Sequence, residues 1–301
     1  MGIDYFFAGY CGGNEQMSLI ENTLFGIRSK IDISIMRIRE FEIVALQNNP
    51  AGYYVCISGG KDSSVIQELC LLAKVKCEFV HNLTSVDHPE TIYFIRREQE
   101  RIKSLGHIFR IEIPRERNGQ QKTMWNQVPK QGLPLRSQRW CCKQLKEFGG
   151  RDRYCITGVR WAESSRRANQ RRIHEITGKV KNENIILNND NDMKRKLTEF
   201  CLTKQTFVLN PIIDWTDDDV WEFLNQRNLP VNPLYRQGWK RVGCVGCPMS
   251  NSRKELDMFP KYKNAYFKAA TEYWKRRKER QREIQGMMES PESYFQWWLR
   301  G

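Results

Sequence analysis

The chain has 301 residues, 40% hydrophobic and 28% charged, which is the composition of a globular protein of one or two domains. No apolar run approaches the roughly eighteen residues a membrane span needs, so no membrane partner is expected. Lys and Arg number 49 against 35 Asp and Glu, a formal charge of +14. That excess either keeps the chain soluble or meets polyanions and phosphorylated ligands.

The first sixteen residues carry no basic region followed by an apolar stretch and a small-residue cleavage site, and no myristoylation pattern follows Met1-Gly2. A cytoplasmic location is expected, and with it metal or redox roles for the ten cysteines rather than disulfides. Residues 17–47 read as one helix, because Ile20, Leu24, Ile27, Ile31, Ile35 and Ile38 recur every three or four positions. Its stripe is expected to dock on the main domain; the alternative, pairing with another copy, would make a homodimer.

Tyr53 to Ile57 reads as a buried strand, followed by a turn, Ser58-Gly59-Gly60-Lys61-Asp62-Ser63-Ser64, and a helix through Leu72. Further strands are expected at Cys77–His81, His107–Ile113, Tyr154–Gly158 and Phe207–Leu209, with a helix from Pro89 to about Leu105. Alternating strands and helices predict an α/β fold with a parallel, doubly wound sheet. Residues 182–192, rich in Asn and Asp, read as an irregular insertion. From Pro260 to about Ile284 the chain is helical and basic, with Lys275-Arg276-Arg277-Lys278 among Tyr262, Tyr266, Phe267, Tyr273 and Trp274. Such a helix either grips a phosphate backbone or packs its aromatics inward and solvates its charges. The domain reading is an N-terminal helical extension (1–50), an α/β nucleotide-type domain (51–235) and a cysteine-containing, basic helical region (236–301).

The glycine turn is the sharpest local signal. Strand, glycine turn and helix aim backbone N–H groups at an anion. Ser58, Ser63 and Ser64 add hydroxyl donors, Lys61 neutralises phosphate charge, and Asp62 either caps the helix or helps to place a magnesium ion. The turn is not a Walker A loop, since Val55 stands where the first glycine is required and Asp62 where Ser or Thr is. A second signal is thiol-rich: Cys141-Cys142 and Cys244-Val-Gly-Cys247 supply four ligands of the kind that hold an iron–sulfur cluster or tetrahedral zinc.

The SGGKDS turn resembles the PP-loop of the ATP pyrophosphatase superfamily. Four further segments resemble its phosphoadenosine-phosphosulfate (PAPS) reductase-like branch: Val86–Thr91, Arg139–Lys146, Thr157–Arg166 and Asn210–Thr216. The resemblance runs over roughly residues 50–250. It implies an adenine-nucleotide α-hydrolase-like fold with a five-stranded parallel sheet, with the nucleotide at the C-terminal strand ends. It implies ATP and Mg2+ as ligands of Ser58, Gly59, Gly60, Lys61, Asp62, Ser63, Ser64 and Asp87. Gly158, Arg160, Glu163 and Arg166 then line the phosphate or sulfate side, with Lys61, Asp62 and Arg160 as the catalytic set. It favours a [4Fe-4S] cluster over zinc at Cys141, Cys142, Cys244 and Cys247.

Sulfate-reducing members of the branch carry a catalytic cysteine near the C-terminus, whereas no cysteine follows Cys247 here. The expectation is therefore an ATP pyrophosphatase that adenylates an acceptor for sulfur transfer. The arginine run Arg166-Arg167 to Arg171-Arg172 and the basic helix favour nucleic acid as that acceptor. The nearest analogy is the pyrophosphatase component of DNA phosphorothioation systems, with tRNA thiolation beside it, and a cysteine desulfurase or other sulfur donor as partner. The competing expectations are a sulfonucleotide reductase, which would borrow Cys201, Cys11 or a partner's thiol, and a non-catalytic nucleotide- or DNA-binding subunit.

Overall fold

A computed structural model of the chain describes residues 19–23, 26–177, 206–249, 253, 255–280 and 289–300. The expected insertion at 182–192, Cys11 and Cys201 lie outside the described residues, as does the expected helical stretch at 281–284.

The sheet has six strands in the order β5 (Ile108–Glu112), β4 (Cys77–Asn82), β3 (Tyr53–Cys56), β6 (Tyr154–Ile156), β8 (Thr206–Leu209) and β7 (His174–Thr177). Five run parallel, as the alternation of strands and helices requires. β7 adds an antiparallel edge, pairing His174 with Leu209 and Thr177 with Thr206. The order reverses between β3 and β6, which is where an open α/β sheet presents a crevice at its C-terminal strand ends.

Successive side chains on each strand face opposite sides. Tyr53, Val55, Phe79, Phe109, Tyr154, Ile156, Phe207 and Leu209 join one large core. Helices α1 (Lys30–Glu40), α3 (Lys61–Ala73), α4 (Pro89–Ser104) and α7 (Asp217–Gln226) contribute Ile38, Ile66, Ile95 and Phe223 to it. The other face holds a small cluster of Tyr54, Val80 and Cys155. Gly149 and Gly150 cross that face so closely that a Cβ would stand 2.2 Å from the Tyr54 hydroxyl and 2.6 Å from Cys155 Sγ.

The single N-terminal helix expected over 17–47 is instead a hairpin followed by two helices. β1 (Ile20–Thr23) and β2 (Gly26–Ser29) pair antiparallel, then α1 and α2 (Glu42–Asn48) follow, broken at Phe41. Apolar spacing continued unbroken across the hairpin, so periodicity alone hid it. Ser29 caps α1 by accepting from the Asp32 amide at 3.3 Å. Phe41 is withdrawn from the helix into the core, against Tyr154 and His174. The extension docks on the main domain: Arg37 forks onto Asp214 at 3.0 and 2.8 Å, and Lys30 reaches the buried Asp219 at 2.7 Å.

A second core contains no residue of the sheet strands. It joins α5 (Met124–Gln131), Val86 and Leu145 to α9 (Glu255–Met258), α10 (Pro260–Glu279) and α11 (Pro291–Arg300). Tyr266, Tyr294, Phe295 and Trp298 fill it. The C-terminal segment thus shares its core with residues from the middle of the chain. No described helix is long and apolar enough to cross a membrane.

Candidate active site

The glycine turn leaves β3 and opens α3. Gly59 adopts φ +78, a left-handed conformation that a side chain resists, and a Cβ there would strike Thr91 at 2.7 Å. Two neighbours fix the turn. Asn232 donates to the Gly59 carbonyl at 3.0 Å and to Thr91 Oγ1 at 3.1 Å. The Lys61 amide donates to the Tyr235 hydroxyl at 3.0 Å. Asn232 and Tyr235 belong to the cap and body of the short helix α8 (Pro233–Arg236). Burial pushes the Tyr235 phenol up to about 12, so it stays a neutral partner of the turn. Ser63 Oγ donates back to the Gly60 carbonyl at 2.7 Å, whereas Ser58 stands exposed at the mouth. Ser64 occupies the same first turn of α3 as Ser63.

Two buried cations meet two carboxylates at this turn. Lys61 Nζ lies 2.7 Å from Asp217 Oδ1 and 3.2 Å from Asp62 Oδ1. Arg160 Nε lies 2.7 Å from Asp62 Oδ1, and its Nη2 lies 2.6 Å from Asp217 Oδ1. Arg160 is 1% exposed, and its Nη1 also donates to the Trp215 carbonyl at 3.2 Å. The hydrogen bond from Lys61, ahead of that from Arg160, holds the Asp217 carboxyl below its ordinary range. Gly158 makes the arrangement possible: a Cβ there would press on the Asp62 carbonyl at 2.9 Å. The loop after β6 therefore rests directly on the start of α3.

Of the expected site residues, Lys61, Asp62, Gly158 and Arg160 come together. Glu163 accepts from the Arg160 amide at 3.1 Å and pairs with Arg167. Arg166 turns outward to Gln170 at 2.9 Å. Arg167, by contrast, is half-buried and feels the charges of Asp62 and Arg160. Burial first, then Arg241 and Arg171, lower its pKa, while Asp62 opposes the shift. On α6 (Ser165–Gln170), neighbouring residues point about 100° apart, which separates the two guanidinium groups. Asp217 was missed although it follows Asn210–Thr216 directly. Its signal is the Thr216 cap of α7, whose three opening residues are all Asp.

Asp87 is placed with the cysteine segment. It pairs with Cys244 in a single bridge, and its Oδ2 accepts from the Thr84 amide at 2.7 Å. The buried His81 meets the Ile57 carbonyl, just before the turn, at 2.8 Å through Nδ1. Cys142 lies in a wide helical turn, Cys142–Lys146, and Cys141 precedes it. Burial pushes the Cys244 thiol up to about 12. Cys141 raises its own pKa chiefly by bonding to Cys142, and Cys244 and Cys247 add their fields. The four thiols thus share one neighbourhood, and their chemistry suits a thiolate-bound metal. Among the described residues, however, no group of three or more His, Cys, Asp or Glu side chains forms a ligating set. The expected [4Fe-4S] or zinc ligand set at Cys141, Cys142, Cys244 and Cys247 is therefore not assembled as the side chains stand.

The model of the phosphoadenosine phosphosulfate reductase domain matches residues 52–250. The chain belongs to this family. An adenosine 5′-phosphosulfate reductase of Lysinibacillus sphaericus is 27% identical over 197 residues, 64% of this chain and 72% of that one. An uncharacterized protein of Methanocaldococcus jannaschii is 30% identical over 232 residues, 73% of this chain but 41% of that one. The chain thus spans less than half the length of this relative. Among solved structures, a PAPS reductase of Candida auris in a phosphate complex is 17% identical, with a TM-score of 0.45, covering 72% of this chain and 91% of that one. This family member is an α/β fold with a mostly parallel sheet, preceded by a hairpin and two helices and followed by three C-terminal helices.

Proposed function

We propose that this protein is an ATP pyrophosphatase that adenylates an acceptor for sulfur transfer, with nucleic acid as the acceptor. The observation that carries the reading is the paired set at the glycine turn: buried Lys61 and Arg160 sharing Asp62 and Asp217. A phosphate chain entering the crevice exchanges one set of anions for another, so both cations are already oriented toward negative charge. An acceptor oxygen attacks the α-phosphorus. The bond to the bridging oxygen breaks, pyrophosphate leaves with the electron pair, and the acceptor is adenylated. A sulfur nucleophile from a cysteine desulfurase or other donor then displaces AMP together with the acceptor oxygen.

Lys61 and Arg160 bind and orient the phosphates, with the exposed Ser58 hydroxyl beside them. Asp62 and Asp217 are the carboxylates suited to Mg2+, which supplies charge neutralisation on the phosphates when bound. The cysteine neighbourhood supports uptake of an iron–sulfur cluster at Cys141, Cys142, Cys244 and Cys247. Equal amounts of iron and acid-labile sulfide in anaerobically purified protein would bear that out, and neither metal nor sulfide would reject it.

The decisive test of adenylation is pyrophosphate release from Mg-ATP, with nucleic acid and sulfide present, by the intact chain and by Lys61→Met. Release that needs Lys61 supports the reading, and release indifferent to Lys61 rejects it. A second reading, reduction of a sulfonucleotide, is favoured by the reductase relatives. The same buried cations would then hold the phosphosulfate.

A further inference from the structure

A cavity of about 320 Å3 opens between the end of α5 and the last turns of α10, lined by Pro129, Lys130, Gln131, Tyr273, Arg276, Arg277 and Arg280. It has room for roughly ten waters, enough for a phosphate and part of its sugar. On α10 and its C-terminal cap Arg280, the lining residues fall at positions i, i+3, i+4 and i+7, so they share one face. Three of the four are arginines. Like charges at such spacings cost helix stability, which argues that this face has a use. Lys130 closes the cavity from α5 and is held by Glu116 at 2.8 Å. These α10 residues lie beyond the family match at 52–250, so the feature is additional to the shared nucleotide fold.

We propose that this basic cavity is a docking site for the phosphodiester backbone of duplex nucleic acid. It deepens the proposed function and rests on it only for the identity of the acceptor. The aromatic residues of α10 decide between strand forms. Tyr262 packs on Trp125, Tyr266 on Trp125 and Trp298, Phe267 on Phe295, and Tyr273 on Tyr294. Tyr266 is buried and the other three are half-buried against these partners, so each ring already has an aromatic neighbour and none is a free platform for unstacked bases of a single strand. What faces outward is guanidinium and ammonium charge, which addresses phosphates without reading sequence. The cavity wall is also tied to the turn that begins at Cys142. Gln131, on its wall, exchanges hydrogen bonds of 3.1 and 2.8 Å with Gln144, in the same turn as Cys142.

Fluorescence anisotropy with a labelled DNA duplex, titrated with salt, tests the site on the full chain. Arg276 and Arg280 are exposed, so replacing them leaves the core intact. Arg276→Ala with Arg280→Ala is expected to weaken duplex binding about tenfold or more. It should also lower the slope of log affinity against log salt by about 2. The paired Arg→Lys variant should keep most of both. Lys61→Met should bind duplex like the parent even if it releases no pyrophosphate, which separates a failure of the adenylation reading from a failure of this one. Unchanged affinity and slope in the double Ala variant would overturn the proposal. So would preference for single strands or for inorganic polyphosphate over duplex.

Discussion

At the strand ends, Lys61 and Arg160 are buried and each is paired with carboxylates of the same chain. On α10, Arg276 and Lys278 are exposed, and the helix places its charge toward solvent while its aromatic rings fill a core. Both regions are cationic, but the cations of the first are buried against carboxylates, whereas Arg276 and Lys278 of the second stand in solvent. Buried cations demand partners, and those partners fix each guanidinium or ammonium group in one orientation. Exposed cations keep their hydration and their freedom, so they attract a polyanion broadly. The first arrangement suits a small ligand bound in one pose, the second a long backbone bound in many.

The comparison is broken most severely at Arg160. Arg160→Ala leaves Asp62 and Asp217 sharing Lys61 alone. Nucleotide turnover should fall about a thousandfold, with a stability loss of about 3 kcal/mol, held to that by the exposure of Asp217. Steady-state kinetics and urea unfolding read the two effects separately. If turnover survives, the paired cations are structural only.

Trp298→Ala tests the opposite region. The side chain is 1% exposed, donates to the Pro134 carbonyl at 2.9 Å and lies under the Arg253 guanidinium at 4.5 Å. Its removal should cost about 4 kcal/mol in urea unfolding, yet leave turnover per folded molecule unchanged. A parallel loss of turnover would mean that the two regions act as one.

His174 sharpens the contrast from the sheet edge. Burial among Phe41, Tyr154 and Phe207 lowers its pKa from 6.5 to about 4. Between those values the unfolded chain binds a proton that the folded chain refuses. Stability therefore falls as pH drops through that window, by on the order of 3 kcal/mol. His174→Gln should lack this acid-side decline in thermal unfolding followed from pH 7 to 4.

The smallest effect is set by Gly158→Ala, whose added Cβ would press on the Asp62 carbonyl at 2.9 Å. A loss of about 1–2 kcal/mol is expected, with weaker nucleotide binding measured by calorimetry. Full binding in this variant would show that the contact between the loop after β6 and α3 does not position the site.

Much of this was legible in the chain because it is local. The SGGKDS turn carries its strand, glycines, lysine and helix start in one run, and Arg160 lies in a single segment with Gly158 and Glu163. What escaped depends on distance or on short elements. Asn232 and Tyr235 reach the turn from more than 170 positions away. Asp217 acts through a fold-built encounter with two cations. Arg166 and Arg167 are indistinguishable until the helix phase of α6 is known. β7 is four residues long and polar at its start, so no alternation revealed it. The thiols are only two pairs in sequence, and their shared neighbourhood arises because the Cys244 segment adds itself beside Asp87.

The central claim is that the paired cations serve phosphoryl rather than sulfuryl chemistry. Anaerobically purified protein should be offered Mg-ATP in one arm, and adenylyl sulfate and its 3′-phosphorylated form with a thiol reductant in the others. Pyrophosphate and sulfite should be assayed in every arm. The account predicts pyrophosphate from ATP, dependent on Arg160, and no sulfite. Sulfite from either sulfonucleotide, with ATP left intact, would contradict it.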